Sequence, residues 1–239
     1  MSDNSQIETF KVVLLGESGV GKTSIISQFT NSEFKDDFET STGGTFSSKS
    51  FTYNDDKILK FEIWDTAGQE RYRALTKMFY KETNAVILVY DITRKKSFEE
   101  LQNYWVEQIK EFAPENIIIA VVANKSDLSE NEEVEEEVAR NYAQDLNALF
   151  CTTSAKSSFG INDLFLQIAK RHTGAENIKI KNDEDEELQG KEEMNKRGTM
   201  KITKEKTLKK KREVPRALRH ERDGSQIYRP DQEIRPYRG

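Results

Sequence analysis

Five largely apolar runs of four to seven residues recur along the first 152 residues of the chain. Short apolar runs bounded by polar residues predict buried β-strands. These runs occupy residues 10–15, 58–64, 85–90, 117–123 and 149–152. A sixth strand is predicted over residues 46–53, where polar and apolar side chains alternate, a pattern typical of a strand at the edge of a sheet.

Segments with helical periodicity separate the predicted strands. They cover residues 22–30, 71–80, 97–112, 132–145 and 161–171, and the third is expected to begin with a capping box at Ser97. This alternation predicts the α/β class, with a doubly wound, mostly parallel, six-stranded sheet flanked by helices. In such a sheet the loops at the carboxyl ends of the strands form the binding site.

The charge distribution divides the 239-residue chain into two parts. Residues 1–171 contain 19 Lys and Arg against 28 Asp and Glu, a net charge of −9, whereas residues 172–239 contain 18 and 14, a net charge of +4. Only nine of the 68 residues in the second part are Leu, Ile, Val or Phe, too few to bury a core. We therefore expect a flexible N-terminus over residues 1–8, a folded domain over residues 9–172 and a charged, largely disordered tail over residues 173–239.

Cysteine usage and the apolar runs bear on the compartment of the protein. The single cysteine, Cys151, lies in a predicted buried strand, so no disulfide forms within the chain and a reducing compartment is expected. The N-terminus has no apolar signal-peptide core, and the apolar runs are too short to span a bilayer. These features predict a cytoplasmic protein.

The loop after the first predicted strand carries the first motif, G-x-x-x-x-G-K-[ST]. Its residues are Gly16, Glu17, Ser18, Gly19, Val20, Gly21, Lys22 and Thr23. Between a strand and a helix, this pattern predicts a phosphate loop, in which backbone N–H groups hold the phosphates of a nucleoside triphosphate, and Ser24 is expected to belong to the same nucleotide-binding site. Lys22 is expected to reach the β- and γ-phosphates, and the Thr23 hydroxyl to bind Mg²⁺.

A second motif follows the strand at residues 58–64. Asp65 stands at the strand end, where its carboxylate is expected to hold Mg²⁺ directly or through water. Gly68 lets a main-chain N–H approach the γ-phosphate, and Gln69 is expected to orient the attacking water. Together with the phosphate loop, this spacing predicts hydrolysis.

A third motif predicts which base is bound. Asp127 is expected to accept two N–H donors from guanine, since adenine offers the opposite pattern. Asn124 is expected to join the loops and contact the base, and the Lys125 stem to cover the ring. Further along, Ser154, Ala155 and Lys156 complete the pocket, with the Ala155 N–H on the guanine carbonyl. These residues favour GTP and disfavour an ATP-using kinase or ATPase.

These motifs, in this order and spacing, resemble the Ras-superfamily small GTPases, and residues 60–72 (KFEIWDTAGQERY) and 85–93 (AVILVYDIT) resemble the Rab family. Residues 113–120 and 162–170 are most similar to the endocytic Rab5-like branch. The resemblance implies a P-loop NTPase fold and a GTPase switch that recruits effectors in vesicle-mediated protein transport. It implies slow intrinsic hydrolysis, a GTPase-activating protein that supplies an arginine, and an exchange factor for GDP.

The resemblance also implies further site residues. Phe34 occupies the position where the family stacks an aromatic ring on guanine, and Phe46, Trp64 and Phe79 match three aromatic residues that Rabs present to effectors. Ungapped counting places Ser41 at the second Mg²⁺ ligand, while a shift of one residue makes Thr42 the ligand. Gly43 and Gly44 depart from the family pattern, and we expect them to weaken the coupling between nucleotide state and loop order.

The tail departs from the family as well. No cysteine follows Cys151, so prenylation at the terminus of this sequence is not expected. Residues 201–219 carry nine Lys and Arg against two Glu, a net charge of +7. A solvated tail, a patch that contacts anionic lipid on endomembranes, a nuclear-targeting signal and a replaced C-terminus all remain open. Nucleic-acid binding is not expected, because aromatic residues are nearly absent there.

The tail and the sequence of residues 40–46 motivate an alternative function, a soluble GTP-binding scaffold that switches weakly and has no lipid anchor.

Overall fold

The predicted sheet is present in the computed structural model, which describes residues 7–35, 45–54, 57–66 and 80–181. Its strands are β1 (Ile7–Leu15), β2 (Thr45–Tyr53), β3 (Lys57–Asp65), β4 (Ala85–Asp91), β5 (Ile118–Asn124), β6 (Leu149–Thr152) and β7 (Ile178–Ile180). The order across the sheet is β6-β5-β4-β1-β3-β2-β7. Strands β6, β5, β4, β1 and β3 run parallel, and β2 is antiparallel to both β3 and β7, so the sheet is mostly parallel as predicted.

Within the described residues, the sheet has seven strands rather than the six predicted. The added strand β7 lies within the predicted tail and pairs with residues 51–53 of β2, so β2 is not an edge strand at that end. Its two isoleucines, Ile178 and Ile180, pack against the core. The strand was not predicted, because the composition of residues 173–239 as a whole is charged and poor in apolar residues. At the other terminus, β1 begins at Ile7, inside the segment predicted to be flexible.

The helices largely follow the predicted segments. They are α1 (Lys22–Asn31), α2 (Lys95–Glu100), a π-helical turn (Leu101–Trp105), α3 (Val106–Phe112), a 3-10 helix (Ser126–Asn131), α4 (Glu136–Asp145) and α5 (Ile161–Thr173). The helix predicted over residues 71–80 lies outside the described residues except for Tyr80. None of the described helices combines the length and apolar character needed to cross a bilayer.

The predicted capping box at Ser97 is wrong. The helix begins two residues earlier, at Lys95, and no side chain caps it. The buried Ser97 hydroxyl instead accepts a hydrogen bond from the Asp91 N–H (3.0 Å) and donates to the Arg94 carbonyl (2.7 Å). This side chain therefore fixes the turn between β4 and α2.

Two apolar clusters cover the opposite faces of the sheet, because alternate residues of β1 contribute to each. Val12 and Leu14 join α1 and α5 in the first cluster, where the rings of Phe29 and Phe165 stack at 3.7 Å. Val13 joins α2, α3 and α4 in the second. Helices therefore cover both faces of the sheet, as in a doubly wound fold. Because both faces are buried, polar residues are left to the strand ends. Cys151 is buried as predicted, and burial raises the pKa of its thiol to about 11.

Candidate functional site

The loop between β1 and α1 is shaped by glycines that no other residue could replace without strain. Gly16 has φ of 146°, and a Cβ there would lie 2.2 Å from the Val89 carbonyl oxygen. Gly21 has φ of 96°, and its Cβ would lie 2.4 Å from Nδ2 of Asn124. The loop is therefore packed directly against β4 and the end of β5, and the glycines permit both the turn and the close approach.

Lys22, the first residue of α1, is buried beneath this loop. Its ammonium donates hydrogen bonds to the carbonyl oxygens of Gly16 and Glu17, both at 2.9 Å. Burial lowers the pKa of Lys22 to about 8, although the negative charges of Asp65 and Glu17 oppose the shift. A cation this poorly hydrated gains strongly from an anionic ligand, which is the property required of a phosphate-binding lysine.

Thr23 and Asp65 meet beside the phosphate loop. The Thr23 hydroxyl donates to Oδ2 of Asp65 at 2.5 Å, and the carboxylate is almost fully buried. The next residue, Thr66, donates to the Leu14 carbonyl at 2.6 Å and so fixes the end of β3 beside that of β1. A hydroxyl and a carboxylate supply the oxygen ligands that Mg²⁺ prefers, so these two residues fit the predicted ion.

Asn124 joins three segments of the site. Its buried amide donates through Nδ2 to the Val20 carbonyl at 2.8 Å and accepts through Oδ1 from the Thr153 hydroxyl at 3.1 Å. The asparagine thus connects the phosphate loop, the end of β5 and the end of β6. These two hydrogen bonds tie the loops together, and the predicted contact of Asn124 with the base stays a prediction.

The other residues of the third motif directly follow Asn124 at the end of β5. Lys125 has a left-handed backbone with φ of 67°, and its ammonium lies 2.6 Å from Oδ2 of Asp91. Burial alone would raise the pKa of Asp91, but hydrogen bonds from Lys125 and Thr93 hold this pKa below its usual value. Because Asp91 stays ionised, its carboxylate holds the Lys125 ammonium and so fixes the position of the Lys125 stem.

The loop after β6 faces the third motif. The Ser154 hydroxyl donates to Oδ1 of Asp127 at 2.5 Å and accepts from the Ser157 N–H at 3.1 Å, so it orients the exposed carboxylate. Ala155 is buried and Lys156 is exposed. These residues and the third motif are therefore brought together at the ends of the neighbouring strands β5 and β6, and their contact with guanine stays a prediction.

Several predicted residues stand apart from this cluster. Phe34 is half-buried and packs against the first apolar cluster. Phe46 on β2 and Trp64 on β3 are register partners whose rings meet edge to face at 5.3 Å, and 51% of Phe46 is exposed. Ser24 lies half-buried on α1. Ser41, Thr42, Gly68, Gln69 and Phe79 lie outside the described residues.

The sequence reasoning did not identify Asp91 and Arg94 as part of the site. Asp91 ends β4 just as Asp65 ends β3 and Asn124 ends β5, and that position was the available signal. Arg94 had no comparable signal, because it begins a basic run that is typical of a solvated helix start.

Comparison with known proteins gives a consistent result. A sequence profile described as "Ras family" matches residues 11–173. The Ras-related protein Rab-22A of Homo sapiens is 43% identical over 165 residues, which covers 69% of this chain and 84% of that protein. Rab-22A of Mus musculus is 42% identical over the same length and coverage, and Rab-22A of Canis lupus familiaris is 42% identical over 170 residues, covering 71% of this chain and 87% of that protein.

Proposed function

The chain belongs to the Ras family, and from this premise we propose which of its residues bind and hydrolyse GTP. It is a Rab small GTPase related to the Rab5-like branch, and it hydrolyses GTP to GDP and phosphate as a switch in vesicle trafficking. This function is favoured over a soluble GTP-binding scaffold with weak switching. Family membership also implies effectors, an exchange factor and a GTPase-activating protein as partners.

The observation that carries the residue assignment is the pair of hydrogen bonds made by the Asn124 amide. Through Val20 and Thr153, these two bonds hold the loop before α1 and the loops after β5 and β6 in one arrangement. A nucleotide spanning these loops would contact all of them at once, so phosphate binding and base selection are parts of the same site.

We assign the phosphates to the loop and the base to the strand ends beyond it. Backbone N–H groups of the loop and the Lys22 ammonium hold the phosphates, using Gly16, Glu17, Ser18, Gly19, Val20, Gly21, Lys22, Thr23 and Ser24. The guanine lies among Asn124, Lys125, Asp127, Ser154, Ala155 and Lys156. Phe34 stands apart from these residues and packs against the first apolar cluster, so its place on the guanine face stays a prediction. Ser154 supports this role, since its hydroxyl fixes the carboxylate that would receive the two guanine N–H groups.

We propose that Thr23 and Asp65 hold Mg²⁺ together with either Ser41 or Thr42. The ion would neutralise charge on the phosphate oxygens when it is bound. Thr23 and Asp65 are already in contact, so their oxygens are positioned for a shared ligand. Either hydroxyl in the 41–42 pair has the oxygen chemistry required, and the choice between them stays a prediction.

In hydrolysis, Gln69 orients the attacking water and the Gly68 N–H contacts the γ-phosphate. Lys22 contributes by stabilising the negative charge on the β- and γ-phosphate oxygens. We expect the intrinsic rate to be slow until an activating protein adds an arginine.

The effector surface is proposed to centre on Phe46, Trp64 and Phe79. The exposed Phe46 ring, braced by Trp64, supports this assignment, since exposed aromatic residues are enriched at protein interfaces. We propose endomembrane association, with residues 201–219 supplying electrostatic attraction to anionic lipid.

Single-turnover hydrolysis tests this function. GTP-loaded wild-type protein should convert its nucleotide to GDP, and Gln69→Leu should be at least about ten-fold slower, because the water is no longer oriented. Equal rates in the two proteins would contradict the proposed switch and favour the scaffold.

A further inference from the structure

Arg94 contacts the phosphate loop from outside the nucleotide motifs. It follows β4 and precedes α2, and its Nη2 donates to the Ser18 carbonyl oxygen at 3.0 Å. The same nitrogen lies 3.5 Å from Oε2 of Glu17, and Nε lies 3.9 Å from Oδ2 of Asp91. One guanidinium therefore reaches two consecutive loop residues and the carboxylate at the end of β4.

Asp91 extends this contact to the guanine side of the site. Its Oδ2 also pairs with the Lys125 ammonium at 2.6 Å, so the charges of Glu17, Arg94, Asp91 and Lys125 form a continuous chain. Only 3% of the Asp91 side chain is exposed, against 41% for Arg94. The buried Asp91 carboxylate therefore anchors this row of charged side chains, and Arg94 connects the carboxylate to the more exposed loop.

We propose that Arg94 is a positioning residue that holds the phosphate loop in its nucleotide-binding shape and slows the release of bound nucleotide. This inference rests on the proposed function and adds a residue to it. Arg94 reaches none of the groups assigned to guanine or Mg²⁺ by direct contact in the described part of the chain, so its effect passes through the loop.

Peptide geometry explains how the contact acts. A trans peptide unit is planar, and its C=O and N–H groups point in opposite directions. Because Arg94 holds the Ser18 carbonyl on the outer side of the loop, the Gly19 N–H is directed towards the phosphate side. At a glycine, whose backbone is otherwise permissive, such an external contact is an effective restraint.

Charge adds to this restraint. Arg94 places a positive field behind the loop, because its guanidinium lies within hydrogen-bond distance of the Ser18 carbonyl. The same field attracts the negative phosphates of a bound nucleotide. Arg94 thus contributes to the phosphate site from behind the loop.

The test is the release rate of a fluorescent GDP analogue from the full chain in Mg²⁺ and excess unlabelled GDP. Arg94→Gln should release the analogue about ten-fold faster, as expected from losing one charge-assisted hydrogen bond. Arg94→Lys keeps the charge but not the planar fork, so its rate should be intermediate. Lys96→Gln removes an exposed positive charge two residues away and should match wild type.

Two further measurements separate a role at the loop from a role at the metal site. Chelating Mg²⁺ should accelerate release in every variant but preserve the ratio between Arg94→Gln and wild type, because Arg94 acts apart from Thr23 and Asp65. In a double-mutant cycle with Glu17→Gln, the two changes should be less than additive, because they break one shared contact.

Each outcome has a defined meaning. A wild-type rate for Arg94→Gln, full recovery in Arg94→Lys, or additive effects with Glu17→Gln would overturn the assignment of Arg94. Failure of the wild-type protein to retain any guanine nucleotide would instead contradict the proposed function itself.

Discussion

The Thr23 hydroxyl donates a 2.5 Å hydrogen bond to the carboxylate of Asp65, a residue 42 positions away in the sequence. This contact joins the first turn of α1 to the carboxyl end of β3. It lies beside the buried Lys22, so the two oxygens that we propose for Mg²⁺ and the ammonium that we propose for the phosphates occupy the same small region. Hydrolysis of a magnesium nucleotide requires that combination.

Removing the Thr23 hydroxyl should make nucleotide binding insensitive to Mg²⁺. We expect Thr23→Ala to weaken GDP binding at least about ten-fold in Mg²⁺ and to have little effect when Mg²⁺ is chelated, because the hydroxyl acts on the nucleotide only through the ion. Fluorescence titration with a GDP analogue measures both affinities. Thr30→Ala, a matched change on α1 whose hydroxyl bonds to the Ile26 carbonyl, should behave as wild type. Equal losses with and without Mg²⁺ would contradict the assignment.

The Asp127 carboxylate should determine the choice of base. Asp127→Asn replaces an acceptor with a group that also donates, so GDP affinity should fall about 100-fold while affinity for xanthosine diphosphate rises. Competition between the two nucleotides measures the switch. Asp145→Asn, on the exposed end of α4, is the matched control and should leave both affinities unchanged. Retained preference for GDP in Asp127→Asn would be inconsistent with the proposed base site.

The lowered pKa of Lys22 predicts a pH dependence of nucleotide affinity. In the free protein this ammonium loses its proton as pH rises through about 8, whereas bound phosphates favour the charged form and raise the pKa. Binding above pH 8 must therefore take up a proton, and GDP affinity should fall by up to about ten-fold per pH unit.

Calorimetry in buffers of different ionisation enthalpy at pH 9 measures the proton uptake directly. Lys22→Arg should bind more weakly but show no uptake, since a guanidinium stays charged throughout this range. Wild-type binding that is independent of pH between 7.5 and 9.5 would show that Lys22 does not carry the predicted linkage.

Strand β7 should contribute to the stability of the domain. Ending the chain after residue 175 removes the strand and uncovers residues 51–53 of β2, so the Tm should fall by several degrees for the loss of two half-buried isoleucines. Ending it after residue 181 keeps β7 and serves as the control. Identical thermal unfolding of the two truncated proteins would indicate that β7 adds no stability.

The sequence was most informative where chemistry and strand position coincide. Asp65 and Asn124 follow buried strands, and parallel strands bring their carboxyl ends to one edge, so their convergence on the phosphate loop could be predicted. The same reasoning could have included Asp91. Arg94 could not be found in this way, because its role depends on a contact with Ser18, which lies 76 residues earlier in the sequence.

Local patterns failed where a different contact of the same residues competed with them. Ser97 and the acidic residues after it match a capping box, but its hydroxyl bonds to the backbone at Asp91 and Arg94 instead. Likewise, β7 is three residues long and is defined by its pairing with β2 rather than by its own composition. The partners of Ser97 lie three and six residues before it, whereas the partner of β7 is a strand far away in the sequence, and neither partner is part of the pattern that was interpreted.

Identification of the nucleotide carried by the purified full chain tests the central claim most directly. The protein is denatured, and the released nucleotide is separated by chromatography and quantified against the protein concentration. The arrangement of Asn124, Asp127 and the phosphate loop predicts close to one guanine nucleotide per chain. An adenine nucleotide in that position would contradict the account.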